Sequence, residues 1–304
     1  MKRKAFTLVE LVLVIVIMGV VAVIGTDVIT KIYASYVRSY SINRLDTETS
    51  NVLNQIVKRL RYRIKDSLIA SKPGSYKSLD DPTIDNTYKI LQWIGYDNES
   101  FRGEYNSTKN YSLPGWSALA DLDSAQTNKT QIKTPGSRLS VAEGIIYALS
   151  YGDVNLSSSS SPSAAIIFKG FDHMDKTQFG WSGSGDHNYT LNVQRVGEDI
   201  LKFTDSTQAA ASKEIYERYA LSWSAYAIVP VLTPGTTDDM NLTLYYDFRP
   251  WDGETYTQGK SSVLAEHVSA FRFKQVGQTL RVKLCIHDDS TGYDYAICKE
   301  RAIF

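Results

Sequence analysis

The chain has 304 residues, 43% of them hydrophobic, with 33 basic and 33 acidic side chains and a net charge of zero. No global field therefore draws it to nucleic acid or to an anionic surface. Setting the first 70 residues aside as leader and long helix, roughly 230 residues remain, enough for one large domain or two small ones.

Lys2, Arg3 and Lys4 precede an apolar run from Phe6 to about Ile29, within which Leu11 to Thr26 carries no charge. About 20 such residues at 1.5 Å each span the ~30 Å hydrocarbon core. The basic flank stays cytoplasmic by the positive-inside bias, so everything after Thr30 is expected outside. A secretory signal has a shorter core and a cleavage site behind it. Here no Ala-x-Ala pattern follows and the sequence stays compatible with helix, so the segment is expected to remain attached. Glu10 lies one turn inside the span, where a carboxylate costs ~2.5 kcal/mol or more. It either snorkels to the interface or faces a partner.

Lys2-Arg3-Lys4, the junction Ala5-Phe6 and the run Phe6-Thr7-Leu8-Val9-Glu10-Leu11 together resemble the N-terminus of the type IV pilin and type II secretion pseudopilin family. The resemblance implies cleavage between Ala5 and Phe6 by prepilin peptidase and methylation of the new Phe6 amine. It also implies that Glu10 pairs with that amine on a neighbouring subunit. The protein would then be single-pass in a bacterial inner membrane, with its C-terminal part in the periplasm until it joins a filament. Its partners would be prepilin peptidase, other minor and major pilins or pseudopilins, and the inner-membrane assembly platform. Ala5 replaces the more usual Gly, and Asp27 stands where many major pilins carry a helix-breaking Pro. The second departure points to a low-abundance, specialised subunit.

From Lys31 to about Ile69 the residues Ile42, Leu45, Thr49, Val52, Ile56, Leu60, Ile64 and Leu68 recur at steps of three and four. That is one apolar stripe on a helix. No Pro or Gly interrupts between Gly25 and Pro73, so the membrane helix and this helix can form one rod of ~60 residues, ~90 Å long. Lys72-Pro73-Gly74-Ser75 is expected to end it. The basic run Lys58, Arg59, Arg61, Arg63 and Lys65 lies beside the stripe and is read as a solvated or subunit-facing surface rather than a DNA site.

Beyond residue 70 the texture changes to short β-prone runs: Tyr88 to Tyr96, Ala164 to Lys169, Tyr189 to Val196, Tyr219 to Val229, Asn241 to Arg249, Val268 to Val276, Thr279 to His287 and Tyr295 to Ile303. Gln275-Val276-Gly277-Gln278 reads as a hairpin turn. Gly144 to Tyr151 is strand or helix, because Ser140 and Glu143 have the spacing of a capping box. Segments 97–137 and 152–163 read as loops or insertions. Tyr219 to Pro230 and Leu264 to Phe273 look like sheet segments of J-type minor pseudopilins and related minor pilins. Cys285 and Cys298, in an oxidising compartment, are read as a disulfide joining the last two strands, since two thiols alone do not complete a zinc shell.

The four histidines His173, His187, His267 and His287 have no spacing that brings them together. Asp172-His173-Met174-Asp175 and Asp186-His187 are read as solvated loop residues, and no metal site is expected. Asp288, Asp289, Ser290, Gly292 and Asp294 could hold calcium, but without EF-hand spacing they read as a polar turn. No nucleophile elbow, Walker loop or dinucleotide fingerprint is present, so no catalytic residues are expected. Seven Asn-x-Ser/Thr sequons occur, at Asn98, Asn106, Asn110, Asn128, Asn155, Asn188 and Asn241. At Asn106, Asn155, Asn188 and Asn241 an acid stands two residues earlier, which resembles the acceptor pattern of bacterial periplasmic N-glycosylation.

The sequence thus predicts an α+β, pilin-like chain: leader 1–5, transmembrane half-helix 6–29, amphipathic half-helix 30–70, and a β-rich domain 71–304 on whose antiparallel sheet the helix packs. Its expected role is a non-catalytic structural subunit that initiates or caps a secretion pseudopilus or a type IV pilus. The alternatives are a tip module that binds a surface or DNA and a membrane-tethered hydrolase.

Overall fold

The computed structural model describes residues 7–108, 110–160, 162–170, 175, 177–182, 188–204, 214–288 and 295–304. Helix α1 runs unbroken over Leu8–Arg61. Its 54 residues make a rod of about 81 Å at 1.5 Å per residue. Ser41, Leu45, Thr49, Val52, Leu53, Ile56 and Leu60 form its buried stripe, at steps of three and four or adjoining. Lys58, Arg59 and Arg61 occupy the last turn, where cations favour the negative end of the helix dipole.

The helix ends earlier than its sequence suggests. Ile64 and Leu68 keep helical spacing, yet both are buried in the sheet domain instead. Ile64 N–H donates to Ile94 O at 2.8 Å and Tyr96 N–H to Tyr62 O at 2.9 Å, so the chain leaves the helix to pair with a strand. A short 3-10 turn, Lys65–Ser67, leads into β1 (Ile69–Lys72), which pairs with β2 (Ser75–Ser78). Pro73-Gly74 is therefore the turn of this hairpin rather than the end of the helix. Gly74 sits at φ +74, the left-handed conformation that the third residue of such a turn requires.

Strands β3 (Ile90–Gly95), β11 (Ser224–Leu232), β12 (Met240–Phe248), β13 (Lys260–Val276), β14 (Thr279–Asp288) and β15 (Tyr295–Ile303) complete an antiparallel sheet with β1 and β2. Its order is β15-β14-β13-β12-β11-β3-β1-β2. The predicted turn after β13 is a two-residue loop, Gly277-Gln278, closed by the Val276–Thr279 pair.

A second antiparallel sheet was not anticipated. It consists of β6 (Gln131–Lys133), β7 (Ala164–Lys169), β8 (Leu191–Arg195), β9 (Ile200–Phe203) and β10 (Arg218–Ser222), ordered β10-β7-β8-β9-β6. Segment 97–137, read as loop, also holds a short helix, α2 (Asn98–Arg102), and a hairpin of β4 (Glu104–Asn106) and β5 (Tyr111–Leu113). The predicted strand Tyr219 to Val229 is two strands, β10 and β11, which part at Trp223 and join different sheets. Ser222 Oγ donates to Gly95 O at 2.6 Å, and the Asp247 N–H donates to Ser224 Oγ at 2.9 Å, which fixes the crossing. Helix α3 (Leu139–Leu149) resolves the ambiguous segment as helix. Its cap is Arg138 with no side-chain bond; Ser140 instead donates to Glu198, and Glu143 pairs with Arg195, so the predicted capping box does not form.

Two cores follow from strand alternation. On β3, Leu91 and Trp93 join the core that contains Leu53, Ile56 and Leu60 of α1, while Ile90 and Ile94 join the core beneath the second sheet and α3. On β11, Ile228 faces the first core and Ala225, Ala227 and Val229 the second. The central strands are thus covered on both faces, which accounts for their nearly continuous apolar runs.

Candidate functional site

The first half of α1 has no packing partner among the described residues. From Leu8 to Tyr40 its large apolar side chains, half-buried Val37 apart, are exposed on every side, Val12 at 52%, Ile24 at 59% and Ile32 at 64% among them. This stretch is long and apolar enough to cross a membrane. Tyr33, Tyr36 and Tyr40 follow it, exposed, at the level where aromatic side chains favour a membrane interface. Asp27, in place of a helix-breaking residue, leaves the helix intact and pairs with Lys31 one turn later at 2.8 Å. The ion pair limits the cost of a carboxylate at the C-terminal end of the span.

At its N-terminal end Thr7 caps the helix. Glu10 N–H donates to Thr7 Oγ1 at 3.3 Å, and Glu10 Oε2 accepts from Thr7 N–H at 3.1 Å and from the Thr7 hydroxyl at 3.0 Å. This is a capping box, and it gives the Glu10 carboxylate two donors within its own first turn, at the positive end of the helix dipole. The sequence reading singled out Glu10 but missed Thr7, although the Thr-x-x-Glu spacing is legible. Ala5 and Phe6, the expected processing junction, lie outside the described residues.

Cys285 and Cys298 form a disulfide between directly opposed residues of β14 and β15. Arg63, counted in the basic run, is buried; its Nη1 donates to Leu60 O at 2.7 Å at the end of α1, and burial lowers its pKa. Of the four acid-preceded sequons, Asn188 is exposed, whereas Asn106 in β4, Asn155 and Asn241 in β12 are half-buried. Asn155 Oδ1 accepts from the Ser157 N–H at 2.9 Å and its hydroxyl at 2.8 Å. His173 and His187 lie outside the described residues, as do Asp289, Ser290, Gly292 and Asp294.

The other two histidines are not loop residues. His267 lies on β13 and His287 on β14, and the two rings meet edge to face at 5.8 Å between centroids. Asp239, just before β12, reaches them, with Oδ2 3.3 Å from His267 Nδ1. The three residues are far apart in sequence, and only the strand register unites them.

An exposed apolar helix, capped by Thr7 and Glu10 and continuous with a folded β-rich domain, defines a membrane-anchored α+β protein. Residues 1–26 match the family model of the prokaryotic N-terminal methylation motif. The chain thus carries the N-terminal segment of the type IV pilin and pseudopilin family. No curated protein and no solved structure matches it.

Proposed function

We propose that the chain is a minor pilin or pseudopilin, a non-catalytic structural subunit that initiates or caps a filament of the secretion-pseudopilus or type IV pilus kind. The observation that carries this reading is the division of one continuous helix. Residues 41–60 are locked into the domain core by Leu45, Leu53 and Ile56, while residues 8–40 stand bare. A bare apolar rod fixed rigidly to a domain can be held by lipid and then by other rods of the same kind.

Assembly supplies the mechanism. Prepilin peptidase cuts between Ala5 and Phe6 and the new amine is methylated. The membrane holds the helix until the inner-membrane platform extracts it, and the apolar halves of several subunits then bundle. Glu10 exchanges its Thr7 donors for the Phe6 amine of a neighbour, which fixes the axial register. The sheet domain, enlarged by its second sheet and by α3, selects neighbours and suits an end of the filament, where nothing stacks above it.

Glu10→Gln tests the reading. It removes the charge but keeps the size, and it leaves the neighbour's ammonium unpaired in an apolar bundle at a cost of ~3–5 kcal/mol. The variant is expected to reach the membrane and be processed at the normal level while losing co-purification with sibling subunits. Normal co-purification would contradict the proposed role of the carboxylate.

A further inference from the structure

The cluster of Asp239, His267 and His287 plays no part in the assembly helix. Each residue offers one ligand atom, and these atoms all lie within 4.8 Å of one another. The 3.3 Å between His267 Nδ1 and Asp239 Oδ2 is already the edge of a tetrahedron with bonds of about 2.0 Å, the spacing zinc requires. Two more atoms of the cluster, Asp239 Oδ1 and His287 Nδ1, are buried with no hydrogen-bond partner among the described residues. A His267–Asp239 ion pair alone leaves both of them unexplained; a cation held between the rings and the carboxylate gives a buried ring nitrogen and a buried oxygen a ligand to serve.

The backbone is also shaped around this point. His267 has φ +54, a conformation that non-glycine residues seldom adopt. The β12–β13 register shifts between Met240–Val268 and Leu242–Ala265, so His267 lies within that bulge, and the β13–β14 register shifts again just after it, between Val268 and Ala270. Bulges re-aim side chains, and here they turn His267 toward the start of β12 and toward its cross-strand neighbour His287. The two histidines also line a cleft of about 450 Å³ whose walls include Arg44 and Glu48 of α1. Three protein ligands leave a fourth position for water or an incoming carboxylate from that cleft.

We propose that Asp239, His267 and His287 form a zinc site that clips β12, β13 and β14 together where their hydrogen-bond ladder is interrupted. Two imidazoles and one carboxylate select a borderline transition ion over calcium, which takes oxygen ligands.

The test uses tag-free full-length protein in detergent, titrated with zinc chloride by calorimetry and with cobalt chloride by visible absorption, with calcium chloride as control. The expected result is one zinc per chain, a tetrahedral cobalt spectrum, a raised melting temperature with zinc, and no heat from calcium. His267→Asn, chosen because Asn tolerates positive φ, and His287→Gln are expected to weaken zinc binding at least about tenfold. Both should melt like the unaltered protein when zinc is absent. Absence of zinc binding, or equal binding by both variants, would overturn the proposal.

Discussion

Lys299 Nζ lies 2.7 Å from Asp46 Oδ1 and donates to Ser50 Oγ at 2.5 Å, tying the last strand of the large sheet to the first helix of the chain. The pair sits where α1 enters the domain, just past the last exposed apolar residues of the rod. The angle at which the domain rides on its helix depends on this contact and on the buried stripe beneath it.

Lys299→Met and Asp46→Asn are each expected to cost about 0.5–1 kcal/mol, because Asp46 is half in solvent and water screens the pair. The double variant should cost less than the sum, since both changes break one interaction. Urea unfolding of the detergent-solubilised chain measures all three.

The disulfide is expected to contribute more. Cys285 and Cys298 are 13 residues apart, and closing a loop of that size is worth ~3 kcal/mol in the chain-entropy model. Replacing both with Ala should lower the unfolding free energy by about that amount, and added reductant should reproduce the loss in the unaltered protein but not in the variant.

Asp97 sets a pH dependence. It caps α2, accepting from the Ser100 N–H at 3.1 Å and from the Ser100 hydroxyl, and burial pushes its pKa up to about 6 from the ordinary 3.8. The folded state therefore holds this proton to a higher pH than the unfolded chain does. Its contribution to stability is full below about pH 4 and is lost as pH rises through about 6, a difference of roughly 3 kcal/mol. Asp97→Asn keeps a capping side chain and removes the proton equilibrium. Across pH 4 to 7 the unaltered protein should lose stability relative to this variant, as read from urea midpoints; a relative gain would contradict the assignment.

The N-terminal segment was legible because its signals are local: a basic flank, a chargeless run and one carboxylate can be read without knowing what lies opposite. Strands bounded by turn residues were legible too, and Ala164–Lys169 and Tyr295–Ile303 have the bounds expected. What depended on distant partners was not. Ile64 and Leu68 continue the helical spacing, but pairing with β3 takes the chain out of the helix first. Nothing in Tyr219 to Val229 marks Trp223 as the point where the strand changes sheets. The short strands β6 and β9 are too brief to carry a pattern, so the second sheet went unseen. His267 and His287 face each other only because β13 and β14 pair in one register, and Asp239 joins them only because a bulge turns His267.

The most direct measurement is the N-terminal mass of the membrane-extracted chain in cells with and without prepilin peptidase. The account predicts a chain that begins at methylated Phe6 when the peptidase is present and at Met1 when it is absent. A chain that begins at Met1 in both would make this an ordinary membrane-anchored domain and would contradict assembly through Glu10.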